Sequence, residues 1–215
     1  PATATDTGDD SVAITYSAAS GSTFAIGTTT VTATATDDSG NTSTCTFDVT
    51  VVDTTSPAIT CATAPASVEA TSSAGAAVSY GVATATDTGD SSVAITYSAA
   101  SGSTFAIGTT AVTATATDDS GNASTCTFNV VVVDTTSPAI TCATAPAPVE
   151  ATSSAGVPVS YEAATATDAG DSSVAITYSA ASGSTFAIGT TAVTATATDD
   201  SGNTSTCSFN VTVVD

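Results

Sequence analysis

The chain has 215 residues and carries 20 Asp and Glu against no Lys, Arg or His, a formal net charge of −20 at pH 7. That balance excludes ion pairs between side chains, and it excludes nucleic-acid binding, because no cation is available to meet phosphates. The carboxylates must be solvated, protonated or met by cations from outside; a solvated acidic surface keeps a secreted protein soluble, and the sharper alternative is a bound divalent metal.

The strongest pattern is self-similarity. DTTSPAITCATAP begins at Asp53 and again at Asp134, and TFAIGTT begins at Thr23, Thr104 and Thr185, each recurrence 81 residues on. Two complete repeats are predicted, at 54–134 and 135–215, preceded by the C-terminal part of another at 1–53. Residues 1–6 match 82–87, so the chain is read as a window cut from a longer one. Units of this length can carry their own core, unlike short solenoid repeats. No run of about 20 apolar residues is present, so no membrane span is expected in the window.

The elements of one repeat follow in chain order. Residues 53–57 (DTTSP) form a short linker, with Pro57 opening a strand at 58–61 (AITC). Residues 67–71 (SVEAT) alternate and continue it, and 72–75 (SSAG) turn. A strand at 77–86 (AVSYGVATAT) is interruptible at Gly81. Residues 87–91 (DTGDS) are rich in side chains that close turns by hydrogen bonding. A strand at 93–97 (VAITY), a turn at Ser101-Gly102, a short strand and corner at 104–108 and a long β-favouring run at 110–117 (TAVTATAT) follow. Residues 118–122 (DDSGN) make a tight turn before the last strand at 124–133. About seven short strands with turns every 8–12 residues and no helical period predict an all-β fold of tandem Ig-like β-sandwich domains. The same alternation argues against disorder.

The expected core is Ile59, Val68, Val78, Tyr80, Val93, Ile95, Tyr97, Phe105, Ile107, Val112, Phe128, Val130 and Val132, with Ala and Thr at many inward positions. So thin a core benefits from a covalent staple. Each complete repeat holds two cysteines, Cys61 and Cys126, then Cys142 and Cys207. Cys45 is the late cysteine of the partial repeat. First and last strands lie side by side in an Ig-like sandwich, which favours bridges within a repeat and an oxidising, extracellular setting. A Cys45–Cys61 bridge across the linker is the rival connectivity.

The order of motifs resembles the hyalin repeat (HYR) module: DTTSPAITC at 53–61, SVEATSSAG at 67–75, YSAASGSTFAIGTT at 97–110, VTATATDDSGN at 112–122 and STCTFNVVVV at 124–133. The resemblance covers both complete repeats and the partial one. It implies an Ig-like fold and an adhesive or matrix-type role outside the cell. Family members often carry a second cysteine pair in the middle strands. On this resemblance those positions are Tyr97 and Ala114, then Tyr178 and Ala195, with Tyr16 and Ala33 in the partial repeat, so a large residue faces a small one.

Catalysis is not expected. Without His or Lys, a Ser or Thr nucleophile has no base of the usual kind, and the carboxylate pairs sit in turns that recur in every repeat. Calcium is the leading site hypothesis. In an Ig-like sandwich two of the acidic turns and the incoming linker meet at one end. This would gather Asp53, Asp87, Asp90, Asp118 and Asp119 at one junction, and Asp134, Asp168, Asp171, Asp199 and Asp200 at the next. Calcium takes six to eight hard oxygen ligands in flexible geometry, which acidic turns supply; the same turns are also explained by folding alone. N-glycan acceptor sequons occur at Asn41, Asn122, Asn203 and Asn210.

The leading expectation is a structural segment of an extracellular fibre or cell-surface stalk. Its partners would be neighbouring copies of itself, and strand exchange between copies would complete the partial repeat. A module binding glycans or matrix proteins is the alternative. The complete repeats differ sparsely, for example Gly81 against Glu162 and Thr88 against Ala169, and no Trp is present, which favours the structural reading.

Overall fold

The structure, a computed structural model, describes residues 1–8 and 11–215. Every regular element among them is a strand. The partial repeat holds β1 (Ala13–Tyr16), β2 (Gly27–Thr36) and β3 (Thr42–Val51). The middle repeat holds β4 (Ala58–Thr60), β5 (Val68–Glu69), β6 (Ala76–Ala77), β7 (Thr84–Thr86), β8 (Ala94–Tyr97), β9 (Thr104–Phe105), β10 (Gly108–Thr117) and β11 (Ala123–Val133). The last repeat holds β12 (Ala139–Thr141), β13 (Val149–Glu150), β14 (Val157–Pro158), β15 (Thr165–Thr167), β16 (Ala175–Tyr178), β17 (Thr185–Phe186), β18 (Gly189–Thr198) and β19 (Thr204–Val214). No helix of the described residues is long and apolar enough to cross a membrane.

The chain divides into two compact units, and the division does not follow the repeats. One comprises Pro1–Thr60, Thr84–Thr96 and Thr115–Thr125; the other comprises Cys61–Ala83, Tyr97–Ala114 and Cys126–Asp215. The first contains the three-stranded sheet β1-β2-β3 and the β4–β7 ladder, in which Ile59 pairs with Ala85. Val31 and Ala33 of β2 are buried there.

The second unit contains the last repeat whole. One layer is the sheet β13-β19-β18-β16; the opposite layer is two short antiparallel ladders, β12–β15 and β14–β17. β13 runs parallel to β19, with Val149 opposite Val213, while β18 and β19 are antiparallel over ten residue pairs from Gly189↔Val213 to Thr198↔Thr204. Side chains alternate between the faces of a strand. Val193, Ala195 and Ala197 of β18 therefore point inward with Phe209, Val211 and Val213 of β19, against Val157, Val159 and Phe186. The Thr residues between them face outward. The middle repeat has the same strand order, β5-β11-β10-β8.

Alanine is what lets the layers approach. Tyr178 pairs with Ala195, and Ala195 pairs on its other side with Cys207. A fully buried alanine thus sits between an aromatic ring and the disulfide. Tyr16 pairs with Ala33 in the partial repeat in the same way. The large-against-small pairing expected from sequence is present, and each tyrosine hydroxyl is used: those of Tyr16, Tyr97 and Tyr178 accept from the backbone N–H of Ala2, Ala83 and Ala164. The Tyr80 ring stands edge-on to Phe128, with centroids 4.9 Å apart.

Cys61–Cys126 and Cys142–Cys207 are bonded, each pair with Cα atoms 5.6 Å apart, and Cys45 is free and exposed. The intra-repeat connectivity, rather than the bridge across the linker, is the one adopted. Two expectations need correcting. The strand expected over 77–86 is two short pieces, β6 and β7, because the chain between them turns its backbone donors to side chains such as the Ser101 hydroxyl, which Tyr80 N–H reaches at 2.9 Å. Ile107 is 38% exposed, not core. It stands at the corner before Gly108, whose φ of 115° redirects the chain into β10.

Candidate metal site

Each acidic site is built from a linker and two turns. In the first, Asp53 comes from the linker, Asp87 follows β7, and Asp118 follows β10. In the second, Asp134, Asp168 and Asp199 hold the same places. In each trio one carboxylate oxygen per residue lies within 4.8 Å of the others. Asp118 and Asp199 are 6% exposed and Asp134 is 9% exposed.

The turn after β10 is closed by its own side chains. Asn122 N–H donates to Asp118 Oδ1 at 2.7 Å, and Asn122 Nδ2 donates to Asp118 Oδ2 at 2.8 Å. The same Nδ2 reaches the Asp53 carbonyl at 3.2 Å, which ties the turn to the linker. Asn203 repeats this with Asp199 (2.7 and 2.8 Å) and with the Asp134 carbonyl (3.1 Å). Burial pulls the carboxyls of Asp118 and Asp199 upward. The side-chain and backbone donors of Asn122 and Asn203, with the backbone N–H groups of the turn, outweigh it and hold both below the ordinary carboxylate value.

The turn after β7 offers a glycine to the linker. Gly89 N–H donates to Asp87 Oδ1, and Gly170 N–H to Asp168 Oδ1, both at 2.7 Å. A Cβ on Gly89 would lie 2.2 Å from Asp53 Oδ2, and one on Gly170 would lie 2.4 Å from Asp134 Oδ2. Only glycine lets the linker carboxylate come so close. The linker aspartates fold back on themselves, Asp53 Oδ1 accepting from Thr55 N–H at 2.9 Å and Asp134 Oδ1 from Thr136 N–H at 3.2 Å. What is left over is informative: Asp53 Oδ2 and Asp168 Oδ2 are buried and have no hydrogen-bond partner.

Of the five aspartates expected at each site, three converge. The other two pair off beside them, Asp90 Oδ2 accepting from Asp119 N–H at 2.6 Å and Asp171 Oδ2 from Asp200 N–H at 2.7 Å. The Asp171 charge beside Asp200 holds the Asp200 carboxyl above its usual value. Asn122 and Asn203, read from sequence as glycan acceptors, belong to the acidic sites. Their sequon partners are engaged too, Ser124 and Ser205 donating to the carbonyls of Pro57 and Pro138 at 2.5 Å. Asn41 donates to Asp37 in the same turn of the partial repeat, and Asn210 is exposed on β19. The residues that sequence reasoning passed over are Gly89 and Gly170. Their signal was present: position 88 changes to Ala169 between repeats, while the glycine and its flanking aspartates do not change.

Three clustered carboxylates, most of their surface removed from water, repel one another strongly unless neutralised. The chain has no Lys, Arg or His to do so. An all-oxygen donor set with backbone carbonyls close by is the kind that hard divalent cations take.

Comparison with known proteins gives the wider setting. The family described as HYR domain matches residues 1–51, 52–132 and 133–213. Hyalin from Strongylocentrotus purpuratus is 38% identical over 172 residues, which is 77% of this chain and 14% of that protein. The chain thus spans a small part of the length of this relative. Among solved structures, a protocadherin gammaB7 EC3-6 cis-dimer is 18% identical, with 88% of this chain and 59% of that one covered at a TM-score of 0.38. Drosophila N-cadherin EC1-3 is 15% identical, with 87% and 77% covered at 0.33. These superpositions are loose, and the family assignment rests on sequence.

Proposed function

The chain belongs to the HYR domain family, and from that premise we propose that it is a non-catalytic segment of an extracellular stalk or fibre, built from repeats at 1–53, 54–134 and 135–215, whose linkers bind calcium. The observation that carries the proposal is the buried Oδ2 of Asp53 and of Asp168, each without a hydrogen-bond partner inside a trio of carboxylates. A buried carboxylate oxygen is not left unpaired without cost, and no cation of the chain can reach it. Asp53, Asp87 and Asp118 would hold one ion, and Asp134, Asp168 and Asp199 the other. The ion supplies positive charge; the chain supplies a pre-shaped cradle, with Gly89 and Gly170 admitting the linker carboxylate and Asn122 and Asn203 holding the turn carboxylate.

A calcium ion shared between a linker and the turns that follow removes freedom from the linker. The bonded sandwiches on either side then act as stiff segments, as a stalk or fibre holding partners apart requires. Neighbouring copies are the proposed partners. Scattering and melting of the purified chain test this. Calcium should raise the melting temperature and narrow the distribution of end-to-end lengths relative to EDTA, and a chain indifferent to both additives in both measurements sinks the proposal.

A further inference from the structure

The linker between the middle and last repeats is held from two sides. Glu69, in β5 and opposite Val133 in register, accepts three hydrogen bonds from it. Its Oε1 takes the Thr135 N–H at 2.7 Å and the Thr136 hydroxyl at 2.9 Å, and its Oε2 takes the Thr135 hydroxyl at 2.9 Å. From the other side Asp134, one residue earlier, gives its carboxylate to the trio with Asp168 and Asp199, and its carbonyl takes Asn203 Nδ2. Thr136 belongs to both holds, since its N–H reaches Asp134 Oδ1 while its hydroxyl reaches Glu69. Three consecutive residues therefore connect a carboxylate of the preceding repeat to an acidic trio that begins the next.

We propose that Glu69 is the positioning residue for the second acidic trio: by fixing Thr135 and Thr136 it sets the Asp134 carboxylate in place, so that the Glu69 clamp and cation binding at Asp134, Asp168 and Asp199 reinforce one another. This rests on the calcium reading above. Ordering a backbone residue costs conformational entropy, and a linker already ordered by Glu69 does not incur that cost again when the ion binds. Coupling of this kind is reciprocal: whatever factor the clamp adds to calcium affinity, calcium adds to the clamp.

The test uses the full chain carrying D87N, which disables the first trio while keeping an acceptor for Gly89 N–H. Calcium chloride is titrated into D87N, D87N/E69A and D87N/E69Q by calorimetry. D87N should bind one ion; E69A should weaken that binding about 5- to 10-fold, within the usual range of coupling between sites, and E69Q, which keeps an acceptor but not the charge, should fall between. In parallel, calcium should slow amide exchange at Thr135 in the D87N chain by the same factor that E69A removes from affinity. Equal calcium affinity in D87N and D87N/E69A overturns the coupling and leaves the cation reading standing. Absence of calcium binding in the unmutated chain overturns both. Should E69A lose amide protection at Val130 and Val132, T135A carries the test, since it removes only the donor to Oε2; undiminished affinity in both T135A and E69Q overturns the coupling.

Discussion

Asn122 grips the Asp118 carboxylate with both of its nitrogens, the backbone N–H on Oδ1 at 2.7 Å and Nδ2 on Oδ2 at 2.8 Å. The second complete repeat has the identical pair, Asn203 on Asp199. Replacing Asn122 with Ala removes the side-chain donor from a buried carboxylate and from the Asp53 carbonyl at once. N122A should lower the melting temperature by several degrees without calcium and weaken calcium binding at the first trio. Differential scanning calorimetry with and without the ion reads both effects.

The same bonds decide where glycans can go. A glycan on Nδ2 replaces one of two hydrogens, both of which Asn122 and Asn203 already spend inside the fold. Asn210 is exposed on β19, with Thr212 completing its sequon. Secretion from a glycosylating host should yield chains modified at Asn210 and bare at Asn122 and Asn203. Glycopeptide mass spectrometry checks this, and high occupancy at Asn122 contradicts the arrangement of the turn.

Gly170 and Asp134 give a steric prediction. A methyl on Gly170 would fall 2.4 Å from Asp134 Oδ2, and the backbone there needs no left-handed conformation. G170A should therefore leave β18 and β19 intact while displacing the linker carboxylate. Calcium affinity of the second trio should fall at least ten-fold, while amide protection at Val211 stays unchanged.

Acid should destabilise the metal-free chain. Hydrogen bonds from Asn41 to Asp37 and from Thr135 to Glu69 hold those carboxyls low, as donors from Asn122 and Asn203 overcome desolvation at Asp118 and Asp199. A folded-state value below the unfolded one contributes stability that is present above the ordinary carboxylate range and is lost as pH falls through the depressed value. Asp200, raised by the Asp171 charge, has the opposite sign: its contribution favours the fold at low pH and fades as pH rises through its own value. The clamped carboxyls of Asp37, Glu69, Asp118 and Asp199 should each lose their contribution on acidification, and urea melts in EDTA from pH 6 down to pH 2 should show a smaller acid-induced loss in N122A, which lacks one of these clamps, than in the unmutated chain.

The core and the staple should dominate the rest. Val130 is fully buried on β11; V130A should cost about 2–3 kcal/mol through lost burial and the cavity left behind. Reduction of Cys61–Cys126, which closes a loop of 65 residues, should cost about 4 kcal/mol on the chain-entropy account. Denaturant melts of the variant and of the reduced chain measure both.

The strands were legible in the sequence because alternation is a local signal: Val112, Ala114 and Ala116 announce the inward face of β10 before any partner is known. The disulfides were legible because the repeat brings one early and one late cysteine into each unit. The acidic site was legible only in outline. Five aspartates share the turns and linker, but the selection of three depends on which carboxylates the closed turns point inward, and that is set by non-local bonds such as Asp90 to Asp119. Asn122 carries two readings because a sequon and a turn lock use the same residue, and the position of Nδ2 between Asp118 and Asp53 is a non-local fact that adds the second. The Glu69 clamp joins residues 66 apart in sequence, a distance over which periodicity says nothing.

If each acidic trio holds a divalent cation, the ions bound to the chain can be counted. Equilibrium dialysis against calcium, with metal analysis of the retained protein, should give one ion for each of the two trios, one ion in all for D87N, and none for D87N combined with D168N. Retention of no calcium by the unmutated chain, or the same retention by all three chains, would contradict the account.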